Sequence, residues 1–189
     1  PTYSIITNVD QEHMDHYKSM NNLKELFIKF IEKTPSFGKS FICLDDKNNK
    51  EIIKKIEIKN FHTYGTDKNS QFCIKNILQL KEYSKFSIHI NLPSKKKHKI
   101  NNIKIPLLGL HNIRNATAAA AVASTIGISI KIIKVALKEF RGVQRRFNEI
   151  FTFKKAIFFD DYAHHPTEIK VVLDGVNSVY KGYEKICIF

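Results

Sequence analysis

The sequence has 189 residues, with no tryptophan, three cysteines and only four arginines among its 31 basic residues. The cysteines (Cys43, Cys73 and Cys187) are scattered and form no Cys-x-x-Cys pair, which predicts reduced, buried thiols in a cytoplasmic protein. No apolar stretch approaches the roughly 20 residues of a membrane helix. The first residues also lack the basic-then-apolar pattern of a signal peptide. We therefore expect a soluble globular protein that does not insert into a membrane.

The net charge of +13 is the strongest bias in the composition. Such a surplus can indicate a nucleic-acid-binding surface. However, lysine, isoleucine and asparagine are all abundant, which is typical of a coding bias toward A/T-rich codons. The densest basic cluster, residues 95–99, lies between two predicted strands, and we interpret it as a solvated hairpin tip. We predict no nucleic-acid partner, and keep a basic nucleic-acid-binding module as the alternative from another functional class.

Hydrophobic periodicity predicts an α/β fold with a mostly parallel sheet. Strands are predicted at 3–7, 41–44 and 61–65, and helices at 21–32, 45–55, 116–126, 131–140 and 169–180. Three further strand-like stretches, 72–80, 85–92 and 100–105, indicate a small antiparallel hairpin sheet. Residues 151–159 are predicted to pair back as a strand, and 184–189 to start another. Gly142 follows a predicted helix and marks the expected domain boundary, which gives domains at 1–140 and 141–189.

The polar loop 8–16 follows the first strand and holds acids and imidazoles that could bind a cation. Carboxylates suit magnesium, whereas imidazoles suit softer metals. A helix entry with solvated acids explains the same residues equally well. Gly38-Lys39-Ser40 is not a phosphate-binding loop, because position 33 is lysine rather than the glycine that this motif requires.

A second polar segment follows the short apolar stretch 156–159, which is predicted to be a buried strand. Asp160-Asp161 end that strand, His164-His165 come next, and Pro166 suits the first turn of a helix. Ligands of open α/β sheets bind at this kind of strand end. The alternative is a solvated turn with no ligand.

Two further groups could bind a nucleotide. Asn112 and Asn115 precede an alanine-rich stretch, and an amide can read the edge of adenine. In the alternative interpretation, Asn112 is only the helix N-cap and Gly127 ends the helix. The Arg145-Arg146 pair suits phosphate oxygens, which guanidinium binds in a bidentate manner, or it caps a helix C-terminus.

Five stretches, taken together and in order, carry a family resemblance. They are Thr7-Asn8 with Glu12-His13-Met14-Asp15, Gly38 with Asp45-Asp46, Gly109 to Asn112 with Asn115-Ala116, Gly142 to Phe147, and Asp160 to Glu168. With these stretches the chain resembles the Mur ligases of bacterial peptidoglycan synthesis. The last two are typical of the alanine-adding branch and its relatives. The loop Asp10-Gln11-Glu12 departs from the family's usual Glu-Pro-Asp before the histidine.

The resemblance implies that residues 1–140 are most of a central ATP-binding domain and that residues 141–189 begin a Rossmann-like C-terminal domain. It places the phosphate loop and a catalytic glutamate upstream of Pro1, and an amino-acid-binding arginine downstream of Phe189. The implied reaction joins L-alanine to UDP-N-acetylmuramate through an acyl phosphate, with ATP and Mg²⁺, in the cytoplasm. The alternative within the family is the ligase that recycles murein tripeptide. We expect the chain to be inactive on its own.

The resemblance also implies roles for individual residues. His13 would bind magnesium, and His111, Asn112 and Asn115 would lie at the adenine. Arg146 would hold the γ-phosphate and Asp161 the ribose. His164 would lie near the phosphates or the acceptor. Because these residues come from two domains, domain closure would assemble the site.

Overall fold

A six-stranded sheet forms the larger part of the molecule. The computed structural model describes residues 1–12, 14–57, 59–93 and 96–188. The strands are β1 (Tyr3–Ile6), β2 (Lys39–Cys43), β3 (Phe61–Gly65), β4 (Phe72–Gln79), β5 (Ser84–Ile90) and β6 (His98–Ile105), and they lie side by side in chain order. Strands β1 to β4 are parallel, whereas β4, β5 and β6 are antiparallel. The predicted α/β class and the antiparallel segment are confirmed, and the antiparallel strands extend the parallel ones within one sheet.

Six helices accompany the strands in the described residues. They are α1 (Met14–Tyr17), α2 (Met20–Glu32), α3 (Lys47–Lys55), α4 (Leu110–Thr125), α5 (Ile130–Glu139) and α6 (Pro166–Val179). Side chains of Ser19, Asp46 and Ser129 cap α2, α3 and α5 by accepting a backbone N–H three residues on. Pro166 lies in the first turn of α6, as predicted. None of these helices, within the part of the chain that the structure describes, is long and apolar enough to span a membrane.

Helix α4 begins earlier than predicted. Gly109 occupies the N-cap position with φ 88°, so Asn112 lies in the first turn and is not the cap. Its Nδ2 donates to the carbonyl of Leu108 at 2.7 Å. Local cap preference was outweighed by the left-handed backbone at Gly109, which a residue with a side chain rarely adopts. The predicted stop is confirmed, because Gly127 follows the last turn with φ 88°.

The core lies on both faces of the sheet. Phe41 packs on one face with buried residues of α4 and α5, while its neighbour Ile42 packs on the other with α2 and α3. This alternation follows from the two-residue period of a strand. Helix α4 brings four buried alanines to the sheet, which lets its backbone lie close to the strands. The result is a three-layer α/β arrangement.

A separate two-stranded hairpin follows, formed by β7 (Asn148–Phe153) and β8 (Ala156–Asp160), and α6 comes after it. The strand predicted at 156–159 is confirmed as part of β8, but its predicted burial is wrong, because Phe158 is 42% exposed and Ala156 is also exposed. The single strand predicted at 151–159 is wrong, because the chain turns back after Phe153 and forms two antiparallel strands. An apolar run becomes buried only where other layers cover it, and here the sheet has two strands. Stacking of Phe151 on Phe158, with ring centroids 4.2 Å apart, orders the hairpin instead.

Three further expectations can be compared with the structure. Residues 184–188 form no strand, and Phe189 lies outside the described residues, so the predicted last strand is wrong for 184–188. Cys43 and Cys73 are buried as predicted, but Cys187 is exposed. The described part of the basic cluster, residues 96–99, is exposed in the loop before β6 and at the start of that strand, as a solvated hairpin tip requires. The division at residue 140 stays a prediction.

The core assignment predicts that Ile88→Ala is strongly destabilising. Ile88 is fully buried, and truncating a buried isoleucine to alanine costs about 2–5 kcal/mol through lost burial and a cavity. Ile132→Ala is the matched control, because Ile132 is 59% exposed and should change stability by no more than about 0.5 kcal/mol. Urea unfolding of the two variants tests this prediction, and equal losses would contradict it.

Candidate active site

The polar segments singled out in the sequence meet beside the C-terminal ends of the parallel strands. The start of α4 lies near the end of β2, since Arg114 in its second turn contacts Asp45, which follows β2. Helix α6 approaches the same turn closely, because a Cβ at Gly175 would lie 3.6 Å from the Cα of Gly109. Parallel α/β sheets bind ligands at this edge. The candidate site therefore lies between the start of α4 and the segment from residue 141 to α6.

A cavity of about 330 Å³ lies at this junction. Its polar lining includes Lys81, Glu82, Asn112, Arg141, Arg146, Asn148 and Glu149, and its aromatic lining is Phe147, Phe159 and Tyr180. Two of the predicted site residues, Asn112 and Arg146, face this space from different segments. His111, Asn115, Asp161 and His164 are not part of its lining. Amides, cations and aromatic rings around one cavity form a surface suited to a planar, anionic ligand.

His111 packs over Gly109. A Cβ at Gly109 would come within 2.7 Å of the imidazole Cε1, so glycine is needed both for this contact and for its positive φ. The Nδ1 of His111 is buried and has no hydrogen-bond partner among the described residues. Burial lowers the pKa of His111, Asp161 opposes this shift, and the charges of Arg114 and Arg146 add to it. The ring is therefore held neutral, with a buried nitrogen left to pair with a ligand.

Asn112 and Asn115 lie one turn apart on α4, on neighbouring surface positions of the helix. The amide nitrogen of Asn112 is engaged with Leu108, which fixes the orientation of its side chain at the cavity wall. Asn115 is exposed. A fixed amide at the wall and a free one beside it can both read a hydrogen-bonding edge of a base.

The side chains of Arg145 and Arg146 point to different surroundings. Arg146 lines the cavity, and its Nη1 lies 3.5 Å from the Glu168 carboxylate. Arg145 instead lies over the ring of Tyr162, at 4.8 Å, and near Asp160. The predicted pair is thus split, and only Arg146 is directed to the junction.

Asp161 fixes the backbone that carries Arg146. Its Oδ2 accepts the N–H of Phe147 at 2.8 Å, and its Oδ1 accepts the N–H of Ala163 at 2.7 Å. Arg145 and Phe147 both have positive φ, 57° and 51°, a backbone state that costs non-glycine residues about 1–3 kcal/mol. The carboxylate offsets this strain, because hydrogen bonds to an ionised acceptor are strong. Asp161 is thus an organiser of the loop, whatever else it contacts.

His164 lies at the surface. Its side chain is 72% exposed, and its Nδ1 lies 3.0 Å from the carbonyl oxygen of Tyr162. Its backbone N–H donates to Glu168 at 3.4 Å, which ties the segment to α6. His165 serves as the N-cap of α6 and accepts the N–H of Thr167 at 3.4 Å. Of the two histidines, His165 has a local structural role.

His13, the predicted magnesium ligand, lies outside the described residues. Nearby, the pKa of Asp10 is lowered, first by the side chain of Thr167 and then by the backbone N–H of Gln11. The described residues contain no group of three or more histidine, cysteine, aspartate or glutamate side chains arranged to hold a metal. The magnesium site therefore stays a prediction.

Sequence reasoning missed two features of this region. One is the ion pair between Asp45 and Arg114, whose partners are 69 positions apart in the chain. The other is the contribution of Lys81, Glu82 and Tyr180 to the cavity lining. The only signal for the first was an aspartate at a strand end and an arginine among the polar residues of α4.

Comparison with known proteins decides the family. The family model of the Mur ligase middle domain matches residues 1–123, which is more than half of the chain. The chain belongs to the Mur ligase family. The predicted resemblance is thereby confirmed, and the fold of this Mur ligase agrees with it.

Individual proteins that are similar to this chain are also Mur ligases. This Mur ligase chain is 67% identical over 189 residues to the UDP-N-acetylmuramate–L-alanine ligase of Pelagibacter ubique, covering all of this chain and 41% of that protein. It matches the crystal structure of MurC, the UDP-N-acetylmuramate-alanine ligase of Thermotoga maritima, with TM-score 0.76 and 26% identity over 96% of this chain and 39% of that one. A murein peptide ligase from Psychrobacter arcticus matches with TM-score 0.65 and 27% identity, over 94% of this chain and 35% of that one. The chain spans about two fifths of the length of the curated relatives it matches.

The role of Asp161 predicts that Asp161→Ala destabilises the segment that carries Arg146. Two charge-assisted hydrogen bonds are lost, at about 1.5–3 kcal/mol for each such bond. Amide hydrogen exchange at Phe147 and Ala163 should accelerate accordingly. Asp174→Ala is the matched control, since the pair that Asp174 makes with Lys170 on α6 is exposed. Unchanged protection at Phe147 in Asp161→Ala would contradict the assignment.

The environment of His111 predicts a specific pH dependence. Its folded pKa lies below the unfolded value of about 6.5, because burial favours the neutral ring. The unfolded state therefore binds the proton more readily, and stability is lost as the pH falls below about 6.5. His111→Gln should lose less stability over this window. An NMR titration in which the imidazole of His111 gains its proton at or above pH 6.5 would contradict this account.

Proposed function

We propose that this chain is the nucleotide-binding part of a cytoplasmic UDP-N-acetylmuramate–L-alanine ligase, together with the start of the domain that follows it. The observation that carries the proposal is the cavity at which Asn112 of α4 and Arg146 of the following segment face one another. An amide for a base and a guanidinium for phosphate are the groups that a nucleotide site needs from two sides. The 67% identity to a protein of that name supports the choice of reaction.

The purine would lie at the start of α4. The buried Nδ1 of His111 lacks a partner among the described residues and would gain one from the nucleotide. Asn112 and Asn115 would read the base edge with amides that both donate and accept. The cavity has room for such a ring beside Asn112, since ligand sites of this type occupy about 300–1,000 Å³. His111 and Asn115 lie outside the cavity lining, on the same helix as Asn112. The aromatic wall formed by Phe147, Phe159 and Tyr180 supplies apolar surface beside the polar edge.

Arg146 would neutralise charge on the γ-phosphate. Its contact with Glu168 is long, 3.5 Å, and half-exposed, so the guanidinium can exchange this partner for phosphate oxygens at little cost. Phosphoryl transfer depends on positioning and charge neutralisation more than on covalent help from the protein. Asp161 would act first by fixing the loop, and its remaining lone pairs are available to ribose hydroxyls.

In the proposed reaction, the γ-phosphoryl group of ATP passes to the muramoyl carboxylate and ADP leaves. The amine of L-alanine then attacks the acyl phosphate, the amide bond forms and phosphate is released. Magnesium, with His13 among its ligands, would supply charge neutralisation on the phosphates. His164, exposed just before the N-cap of α6, would approach the phosphates or the acceptor on closure.

The recycling of murein tripeptide is the second candidate reaction. It is retained because the chain is about equally similar to representatives of both reactions. The sequence identity is 26% to MurC of Thermotoga maritima and 27% to the murein peptide ligase. The two reactions share the nucleotide site and differ in the acceptor. The choice between them is therefore made by the acceptor that supports turnover.

The proposal predicts that the protein expressed from the full reading frame releases phosphate with ATP, magnesium, UDP-N-acetylmuramate and L-alanine. Arg146→Ala should lower kcat by about 10²–10³-fold, the cost of removing one transition-state charge contact. Arg145→Ala is the matched control, since this neighbouring arginine is directed to Tyr162 and should lose far less. A phosphate-release assay with purified variants measures both.

Comparing turnover with L-alanine and with murein tripeptide distinguishes the two candidate reactions. Turnover with murein tripeptide and not with L-alanine assigns the recycling reaction. No turnover with either acceptor, in a folded protein, contradicts the proposed function. The isolated 189-residue chain is expected to form no ADP, and muramoyl-dependent ADP formation by it would contradict the division of the site that the resemblance implies.

A further inference from the structure

The ion pair between Arg114 and Asp45 links the start of α4 to the sheet. The Nε of Arg114 lies 2.6 Å from Oδ2 of Asp45, and the Asp45 side chain is only 6% exposed. Asp45 follows the end of β2, whereas Arg114 lies on α4 between Asn112 and Asn115. The pair therefore connects the edge of the sheet to the same helical turn that carries the proposed base-reading residues.

The Asp45 carboxylate is itself held on both oxygens. Oδ1 accepts the backbone N–H groups of Thr66 and Asp67 at 2.8 and 2.9 Å. Oδ2 accepts the Thr66 hydroxyl at 3.0 Å, in addition to the guanidinium of Arg114. Burial raises the pKa of Asp45, but the two backbone N–H groups and Arg114 outweigh it and leave the pKa below its usual range. The anchor is thus an ionised group fixed to the loop after β3.

Gly65 makes room for this anchor. A Cβ at Gly65 would lie 2.6 Å from Oδ1 of Asp45, and Gly65 has φ 140°. The ends of β2 and β3 are therefore shaped around the carboxylate. A helix residue that binds this carboxylate takes its position from two strands at once.

The start of α4 is held at its N-cap, where the N–H of Gly109 donates to Oε1 of Gln79 at 2.8 Å and Nδ2 of Asn112 donates to the carbonyl of Leu108. Gly109 at the N-cap provides no side-chain hydrogen bond to the first turn. Ile113 packs into the core and sets the depth of the helix, but an apolar contact is non-directional. The bond from Arg114 is directional, so it fixes the rotation of the turn about the helix axis.

We propose that Arg114 is a positioning residue for the nucleotide: by binding Asp45 it sets the rotation of the first turns of α4 and so places His111, Asn112 and Asn115. The inference rests on the proposed function. Arg114 does not contact the nucleotide in this account. The pair is expected to add little to the stability of the fold, because the desolvation of buried charges offsets most of their attraction.

The test uses Arg114→Met in the protein from the full reading frame. Arg114→Met removes the directional bond and keeps a long side chain. We expect the KM for ATP to rise about tenfold or more, because small misplacements of binding groups are costly. The KM for L-alanine should change by less than about twofold. Lys131→Met, which removes an exposed charge at the start of α5, is the matched control and should leave both values unchanged.

Arg114→Lys separates positioning from folding. Lysine keeps the charge but has a different reach and geometry, so the KM for ATP should rise by a few-fold at an unchanged Tm. If Arg114→Met does not fold, Arg114→Lys carries the test. A wild-type KM for ATP in a folded Arg114→Met, or in Arg114→Lys if only that variant folds, overturns the inference. An equal loss of affinity for every substrate, in step with a lower Tm, also overturns it.

Direct binding of a non-hydrolysable ATP analogue distinguishes this inference from the proposed function. Wild-type protein that binds the analogue, with Arg114→Met binding it equally well, overturns the inference and leaves the proposed function intact. Wild-type protein that does not bind the analogue overturns both. Weaker binding by Arg114→Met, with intermediate binding by Arg114→Lys, supports the positioning role.

Discussion

The hydrogen bonds that Asp161 accepts from Phe147 and Ala163 fix the conformation of the segment that carries Arg146. They hold left-handed backbone at Arg145 and Phe147, which leaves Arg146 directed to the cavity and Arg145 to Tyr162. An adjacent pair of identical residues is thereby given two different environments. In the proposed ligase this difference decides which guanidinium neutralises the phosphate.

On the other side of the junction, the start of α4 is shaped by the close packing of neighbouring groups. Gly109 lets the His111 ring pack against the turn before α4, and α6 comes near the same turn at Gly175. Asp45 and Arg114 then tie this turn to the ends of β2 and β3. Both halves of the candidate site thus depend on a buried or half-buried carboxylate that satisfies backbone N–H groups and fixes a neighbouring arginine. Asp45 and Asp161 therefore have structural roles: each holds in place a part of the chain that carries candidate site residues.

Much of the fold could be predicted from hydrophobic period and turn residues. The antiparallel strands after residue 71 and the stop at Gly127 followed from local signals, and the structure has them. The start of α4 could not be predicted from local signals. The cap preference of Asn112 is a local property, whereas the turn at Gly109 depends on the packing of the His111 ring. The apolar run at 156–159 predicted burial, but burial depends on which layers surround a strand and cannot be obtained from the run itself.

The candidate site was predictable to a similar degree. Asn112 and Arg146 were chosen for their chemistry, and the structure brings both to one cavity. Asp161 was expected at the ribose, yet its two oxygens are already engaged with the backbone, a role that only the fold reveals. The Asp45–Arg114 pair joins residues 69 positions apart, so no local pattern indicates it. The resemblance to the Mur ligases followed from several motifs in order, and the match of the middle-domain family model to residues 1–123 shows the membership.

The most direct test of the account is a crystal structure of the full-length protein with a non-hydrolysable ATP analogue. The account predicts the base against His111 and Asn112 at the start of α4, with the terminal phosphate at the guanidinium of Arg146. A nucleotide bound to only one of these two segments, or bound outside the cavity between them, would contradict it.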